Sequence, residues 1–147
     1  MRVLAIDYGE VRIGVALSDP TGTLARPLPF VPAKADAKLA KEIAALAFKE
    51  NAEIFLLGLP RNMDGTTGDA AAKVQAFAEE LRKVIGAMPL KLVDERLSTV
   101  QASRQLQQSG RNAKQQRGRI DSEAACVLLQ SYLDSQQRYS VLPLDEA

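Results

Sequence analysis

Short apolar runs alternate with amphipathic helical segments along most of this chain, and this alternation restricts its possible folds more than any other feature. The apolar runs predict strands at residues 2–8, 12–18, 25–31, 54–57 and 90–93. Apolar residues at helical spacing predict helices at 36–51, 69–85, from 98 or 99 to about 108, and from 121 to about 135. Three successive strands followed by alternating helices and strands predict an α/β fold, with a mixed sheet covered by helices on both faces.

Glycine and proline residues refine this prediction. Gly9 favours a hairpin between the first two strands because glycine adopts positive φ freely. Pro27 and Pro29 confine the third strand to an edge of the sheet. The tripeptide Gly58-Leu59-Pro60 predicts a turn after the fourth strand, and Gly86 ends the second long helix. The length of 147 residues suits one domain, which we place at residues 1–138, with residues 139–147 as a C-terminal tail.

The composition excludes several kinds of active site. The chain has no histidine and a single cysteine, Cys126. It therefore lacks the residues for a Ser-His-Asp or Cys-His nucleophile pair, for His-ligated zinc and for a thiolate metal cage. One cysteine and a short apolar run at the N-terminus, 3–6, predict a cytoplasmic protein without a signal peptide or membrane span.

The charges are unevenly distributed, although the formal net charge is only +1. Residues 96–120 contain six basic residues and no acidic one, whereas the rest of the chain carries 13 basic and 18 acidic residues. A cationic segment on an otherwise acidic protein indicates an anionic partner such as nucleic acid. The alternative is a solvated surface loop. The six basic residues of the segment are Arg96, Arg104, Arg111, Lys114, Arg117 and Arg119.

Three carboxylates stand where an apolar pattern would not place a charge. Asp7 ends the first strand, Glu95 follows the last strand, and Asp121 opens an apolar helix. If the first and last strands are parallel neighbours, Asp7 and Glu95 emerge at the same carboxyl edge, where α/β folds bind ligands. Converging carboxylates repel one another unless a cation neutralises them, and hard oxygen ligands favour Mg²⁺ or Mn²⁺. We therefore predict a divalent-metal site at this edge.

Each carboxylate also has a purely structural interpretation. Asp7 would be a turn residue, Glu95 would pair with Arg96 or Arg12, and Asp121 would be a helix N-cap. Asp94 competes with Glu95 for the metal, because neighbouring side chains of a strand point to opposite faces.

A turn-rich segment, GLPRNMDG at residues 58–65, follows the fourth strand at the same edge. It brings Arg61, Asn62 and backbone N–H groups toward a phosphate, or it is simply a tight turn.

Four strings of the chain match known signature blocks in order and spacing. They are IDYGEVRIGVALSD (6–19), GLPRNMDGTTG (58–68), DERLST (94–99) and IDSEAACVLLQSYL (120–133). With them the chain resembles the bacterial YqgF family, also called RuvX, whose members are described as Holliday junction resolvases or as nucleases that process the 5′ end of pre-16S ribosomal RNA. The resemblance implies a ribonuclease H-like fold, a five-stranded mixed sheet flanked by helices. It also implies an acidic cluster that holds divalent metal, and the matching positions are Asp7, Glu95 and Asp121.

The expected function is therefore metal-dependent hydrolysis of nucleic acid, on pre-rRNA or on branched DNA, by a monomer or a homodimer. Two other classes stay open at this point. An ATP-binding protein of the actin and sugar-kinase group shares the core fold but needs two such domains to enclose a nucleotide. A non-catalytic nucleic-acid-binding or ribosome-assembly factor would keep the carboxylates for folding. The predicted nucleic-acid contacts are Arg12, Arg61, Asn62, Arg96, Arg111, Lys114, Arg117 and Arg119.

Overall fold

The computed structural model describes residues 1–60, 68–95 and 122–141. Within these ranges the chain forms five strands and three helices. In chain order they are β1 (Val3–Asp7), β2 (Arg12–Ser18), β3 (Ala25–Pro32), α1 (Asp36–Lys49), β4 (Ile54–Leu59), α2 (Asp69–Ile85), β5 (Leu90–Asp94) and α3 (Glu123–Val141). The helix predicted near residues 98–108 lies outside the described residues.

The strands form one sheet in the order β3-β2-β1-β4-β5. β1 pairs antiparallel with β2 and parallel with β4, and β4 pairs parallel with β5. The predicted five-stranded mixed sheet is therefore confirmed, and so is the edge position of the proline-containing β3. The condition that the first and last strands be parallel neighbours is not met. β4 lies between β1 and β5, although both of these strands still end at the same edge of the sheet.

Helices cover both faces of the sheet, as predicted. On one face α1 and α2 pack their apolar stripes, which include Leu39, Ile43 and Phe77, against alternate residues of β1, β2 and β4. On the other face α3 packs Leu128, Leu129 and Leu133 against the intervening strand residues, among them Ala5 and Leu56. Successive side chains along a strand therefore point alternately toward α1 and α2 and toward α3.

Three local predictions need correction. β4 continues through Gly58 and Leu59, which pair with Val93 and Asp94 of β5 and do not form a turn. α3 extends to Val141, beyond its predicted end near residue 135. Gly9 does connect the first two strands, but its φ is not positive. It is required there because a Cβ would lie 2.4 Å from the carbonyl oxygen of Arg12.

Candidate functional site

Asp7 is the last residue of β1 and lies at the carboxyl edge of the sheet. Val3 and Ala5 of the same strand pack against α3. Because side chains alternate along a strand, the half-buried Asp7 faces the α3 side as well. Its register partner in β2 is Gly14.

Tyr8 anchors the backbone immediately after Asp7 on the opposite face. Its hydroxyl donates a hydrogen bond to the Asp36 carboxylate at 3.0 Å, and its ring lies 5.1 Å from that of Phe77. Burial, followed by the hydrogen bond and the negative charge of Asp36, raises the pKa of Tyr8. The phenol therefore stays protonated, and this contact restrains the chain beside Asp7.

The carboxylate of Glu95 lies over β4, directly beside the position of Asp7. A Cβ built on Gly58 would be 2.9 Å from Glu95 Oε1 and 3.0 Å from a methyl carbon of Leu128. In the parallel pairing Ile6 aligns with Leu57, so Gly58 follows the register of Asp7. Glu95 is 3% exposed and occupies the space that a side chain at position 58 would take. The sheet thus brings Asp7 and Glu95 to the same edge and the same face.

Ser122 fixes the start of α3 against the sheet. Its Oγ accepts a hydrogen bond from the backbone N–H of Val15 at 3.0 Å, and the residue is 1% exposed. Val15 adjoins Gly14, which is the register partner of Asp7. The beginning of α3 is therefore attached to β2 beside the strand position of Asp7.

Asp121, the third predicted carboxylate, lies outside the described residues. Among the residues that the structure does describe, no group of three or more acidic or cysteine side chains is close enough to hold a metal. Asp7 and Glu95 are therefore the two predicted ligands whose placement the structure gives.

Asp94 is the alternative to Glu95 as a metal ligand, and its side chain points to the other face of the sheet. Lys91 of the same strand donates a hydrogen bond to the Tyr132 hydroxyl of α3 at 3.1 Å, and Val93 packs against the α3 core. By alternation Asp94 faces the α1 and α2 side, away from Glu95.

Of the predicted nucleic-acid contacts, the structure places Arg12. It is exposed at the start of β2, where its guanidinium carbon lies 5.1 Å from the centre of the Phe30 ring. The other seven positions fall outside the described residues: Arg61, Asn62, Arg96, Arg111, Lys114, Arg117 and Arg119.

Sequence reasoning missed two residues that shape this edge. The sequence pattern predicts a turn at Gly58. A glycine within an apolar run, however, is also a recognised sign that another part of the protein approaches the backbone closely there. Ser122 follows the predicted ligand Asp121, and its hydrogen bond to a residue 107 positions earlier has no local sequence signal.

A cavity of about 270 Å³ lies at the opposite end of β1. It is lined by Met1, Val3, Tyr132 and Leu133 among others, and by no carboxylate. This cavity is therefore separate from the edge that carries Asp7 and Glu95. Among the helices of the described part of the chain, none is long and apolar enough to cross a membrane.

Comparison with known proteins adds sequence relatives over most of the chain. The model of the RuvX family, described as Holliday junction resolvase, matches residues 1–135. A Streptomyces avermitilis protein named "Putative pre-16S rRNA nuclease" is 43% identical over 136 residues, which cover 92% of this chain and 87% of the relative. A protein of the same name from Roseiflexus sp. (strain RS-1) is 45% identical, with 92% of this chain and 96% of the relative covered.

Solved structures show the same fold at much lower identity. RuvC of T. thermophilus in complex with a Holliday junction substrate superposes with a TM-score of 0.55 at 14% identity, covering 94% of this chain and 96% of that chain. The expected ribonuclease H-like fold is thereby confirmed.

Proposed function

This chain belongs to the RuvX family, and from that premise we propose that it is a divalent-metal-dependent nuclease that hydrolyses phosphodiester bonds at the 5′ end of pre-16S rRNA. The observation that carries the proposal is the placement of Asp7 and Glu95. Both belong to the α3 face of the same sheet edge, and a glycine between them leaves room for the Glu95 carboxylate.

The residues at this edge fit Mg²⁺ or Mn²⁺. Their donors are carboxylate oxygens, which hard divalent cations prefer, and no nitrogen or sulfur donor competes among the three proposed ligands. Two carboxylates at the same edge and face of the sheet, one of them almost fully buried, together favour the binding of a divalent cation. The absence of a side chain at Gly58 leaves room for the Glu95 carboxylate beside Asp7, and such a cation would be held by Asp7, Glu95 and, as the third ligand, Asp121.

Asp121 is included because it is covalently bonded to Ser122. Consecutive Cα atoms are about 3.8 Å apart, and Ser122 is fixed to Val15 beside the position of Asp7. Its position next to Ser122 in the sequence supports Asp121 as the third ligand of this proposal.

In this proposal the carboxylate oxygens of Asp7, Glu95 and Asp121 would hold the divalent cations and thereby fix where the scissile phosphate can bind. The chemistry that Mg²⁺ or Mn²⁺ supplies in such a site is a hydroxide nucleophile near neutral pH and neutralisation of the leaving oxygen. Arg12, Arg61 and Asn62, together with Arg96, Arg111, Lys114, Arg117 and Arg119, bind the flanking phosphates. The substrate implies a cytoplasmic protein.

Branched DNA is the second candidate substrate, since the matching family model is described as Holliday junction resolvase. A junction-cutting enzyme needs two active sites at a fixed spacing and hence a homodimer, whereas an RNA-processing nuclease can act as a monomer.

The test is cleavage of a precursor 16S rRNA fragment and of a four-way DNA junction, side by side, with and without Mg²⁺. We expect metal-dependent cleavage of the RNA, and its loss by a factor of about 100 or more in Asp7→Asn and Glu95→Gln. Asp94→Asn is the matched control, because it removes the same charge one residue away on the other face. It should keep cleavage while the protein loses some stability.

Asp7→Asn should also raise the urea stability of the metal-free protein by about 1 kcal/mol, since it removes one of two neighbouring like charges. Cleavage of the junction alone would favour the second candidate. Undiminished cleavage by Asp7→Asn, or no cleavage of either substrate by the wild type, would refute a nuclease that uses this site and point to a non-catalytic binding factor.

A further inference from the structure

Phe30 is an exposed aromatic residue at the carboxylate edge of the sheet. Its exposed fraction is 38%, and it belongs to the edge strand β3. An isolated exposed apolar side chain is common in proteins and needs no explanation. Phe30 differs in two respects. An irregularity in the β2–β3 pairing determines the direction of its side chain, and the guanidinium of Arg12 lies over its ring.

A β-bulge sets the direction of Phe30. Ile13 pairs with Val31 and Val15 pairs with Leu28, so β3 uses one more residue than β2 over this stretch. Leu28 and Val31 both pack against the α1 and α2 core, and the residues between them are exposed. Bulges commonly occur next to functional sites, where they redirect a side chain.

The guanidinium of Arg12 lies 5.1 Å from the centre of the Phe30 ring. Ile13 and Val15 of β2 face α1 and α2, so by alternation Arg12 faces the α3 side, as Asp7 does. Gly14 is the register partner of Asp7, and Arg12 lies two residues from it, about 7 Å along the strand.

An aromatic ring beside an arginine is a common means of binding an unpaired base. The ring stacks on the face of the base, and the guanidinium stacks or contacts the adjoining phosphate. A base inside a duplex has both of its faces covered by neighbours and cannot stack in this way. A surface that only attracts phosphates, by contrast, gains nothing from an unpaired base and favours the higher charge density of a duplex.

We propose that Phe30 and Arg12 form a binding site for one unpaired base of the substrate, close to the carboxylates, so that the protein selects single-stranded RNA over duplex RNA at its cleavage position. This inference rests on the proposed function and specifies the form of its substrate.

The test is binding and not cleavage, so it can be read even if the nuclease proposal fails. The probes are an RNA oligonucleotide and the same oligonucleotide annealed to its complement, titrated with Ca²⁺ in place of Mg²⁺ and checked on a gel for intact RNA. We expect Phe30→Ala to bind the single strand about tenfold more weakly, equivalent to about 1.4 kcal/mol, and the duplex within twofold of wild type. Phe30→Trp, which keeps an aromatic face, should retain the preference.

Phe48→Ala is the matched control. Phe48 is 58% exposed near the end of α1, just before β4 begins, and therefore at the opposite edge of the sheet. It should bind both probes as the wild type does. If Phe30→Ala does not fold, Phe30→Leu tests the same point, because leucine keeps the apolar bulk without an aromatic face.

An unchanged single-strand affinity in the Phe30 variant, or an equal loss for both probes, would overturn the inference. If Phe30→Ala loses the preference for single-stranded RNA but still cleaves with Mg²⁺, the change concerns the base site alone. Wild-type selectivity in a protein that never cleaves refutes the proposed function and leaves the base site standing.

Discussion

Gly58 determines where the Glu95 carboxylate can lie. A methyl group at this position would stand 2.9 Å from Glu95 Oε1 and 3.0 Å from Leu128, both too close for ordinary contact. We expect Gly58→Ala to displace Glu95 and to lower cleavage at least tenfold. The accompanying loss of folding stability should be about 1–3 kcal/mol, the usual range for overpacking. A cleavage time course and a urea melt of the same preparation measure both effects.

Gly86→Ala is the control for this prediction. Gly86 has open space around it but a φ of +64°, so an alanine there is strained without touching the site. It should lose about 1 kcal/mol of stability and keep its cleavage rate. Wild-type cleavage by Gly58→Ala would mean that the position of Glu95 does not matter for the reaction.

At the level of single residues, an interrupted apolar pattern was enough to predict where two of the three carboxylates lie, whereas their role as metal ligands stays a prediction. Asp7 and Glu95 were selected because each ends an apolar run with a charge, and the structure brings both to the same edge. The roles of Gly58 and Ser122 depend on partners far away in the chain, 37 and 107 residues respectively, and no local pattern encodes such contacts.

Among the elements, a buried hydrogen bond adds to the apolar packing that attaches α3 to β2. Ser122→Ala removes the acceptor of the Val15 N–H in a fully buried place. Leaving that donor unpaired should cost about 1–3 kcal/mol and should speed amide exchange at Val15. Cleavage should fall as well, because the proposed ligand Asp121 precedes Ser122 directly in the sequence. Urea melts and exchange measured at Val15 check the structural part.

Ser131→Ala makes the same substitution at a half-exposed position of α3. It should change neither the exchange rate at Val15 nor cleavage. If the two variants behave alike, the hydrogen bond of Ser122 is not what holds the helix in place.

Element bounds were predicted well where propensity and packing agree. α2 matches its predicted range, because its apolar stripe and Gly86 both act locally. The predicted end of β4 at residue 57 is too early. Gly58-Leu59-Pro60 has turn propensity, and only the pairing of Gly58 and Leu59 with β5 keeps this part of the chain extended. The same distant pairing places β4 between β1 and β5, an order that the linear alternation of elements does not specify.

For the whole molecule, we expect the positive charge of the basic segment, residues 96–119, to strengthen nucleic-acid binding. Replacing Arg111, Lys114 and Arg117 together with glutamine should weaken nucleic-acid binding. If each contacts one phosphate, the slope of log affinity against log salt should flatten by about 2–3 units, at about 0.7–0.9 per contact. Sequence preference should hardly change, because phosphates carry no sequence information. A salt titration on one RNA, with Ca²⁺ replacing Mg²⁺, measures the slope.

A second triple variant controls for net charge. Lys38, Lys41 and Lys49 are exposed on α1, which covers the other face of the sheet, and their replacement by glutamine removes the same total charge. That variant should keep the wild-type slope. Equal slopes for all three proteins would return residues 96–119 to the solvated-loop interpretation and leave Arg12 and Arg61 as the candidate phosphate contacts.

The covering of the two sheet faces by different parts of the chain has a consequence during protein synthesis. All five strands and both helices of one face precede α3 in the chain, so they leave the ribosome first. Until α3 follows, the apolar residues of the second face, including Val3, Ala5 and Leu56, lack the cover that α3 gives them. The face that carries Asp7 and Glu95 is therefore complete only once α3 has been made, and a nascent chain that stalls before α3 would lack the carboxylate site proposed above.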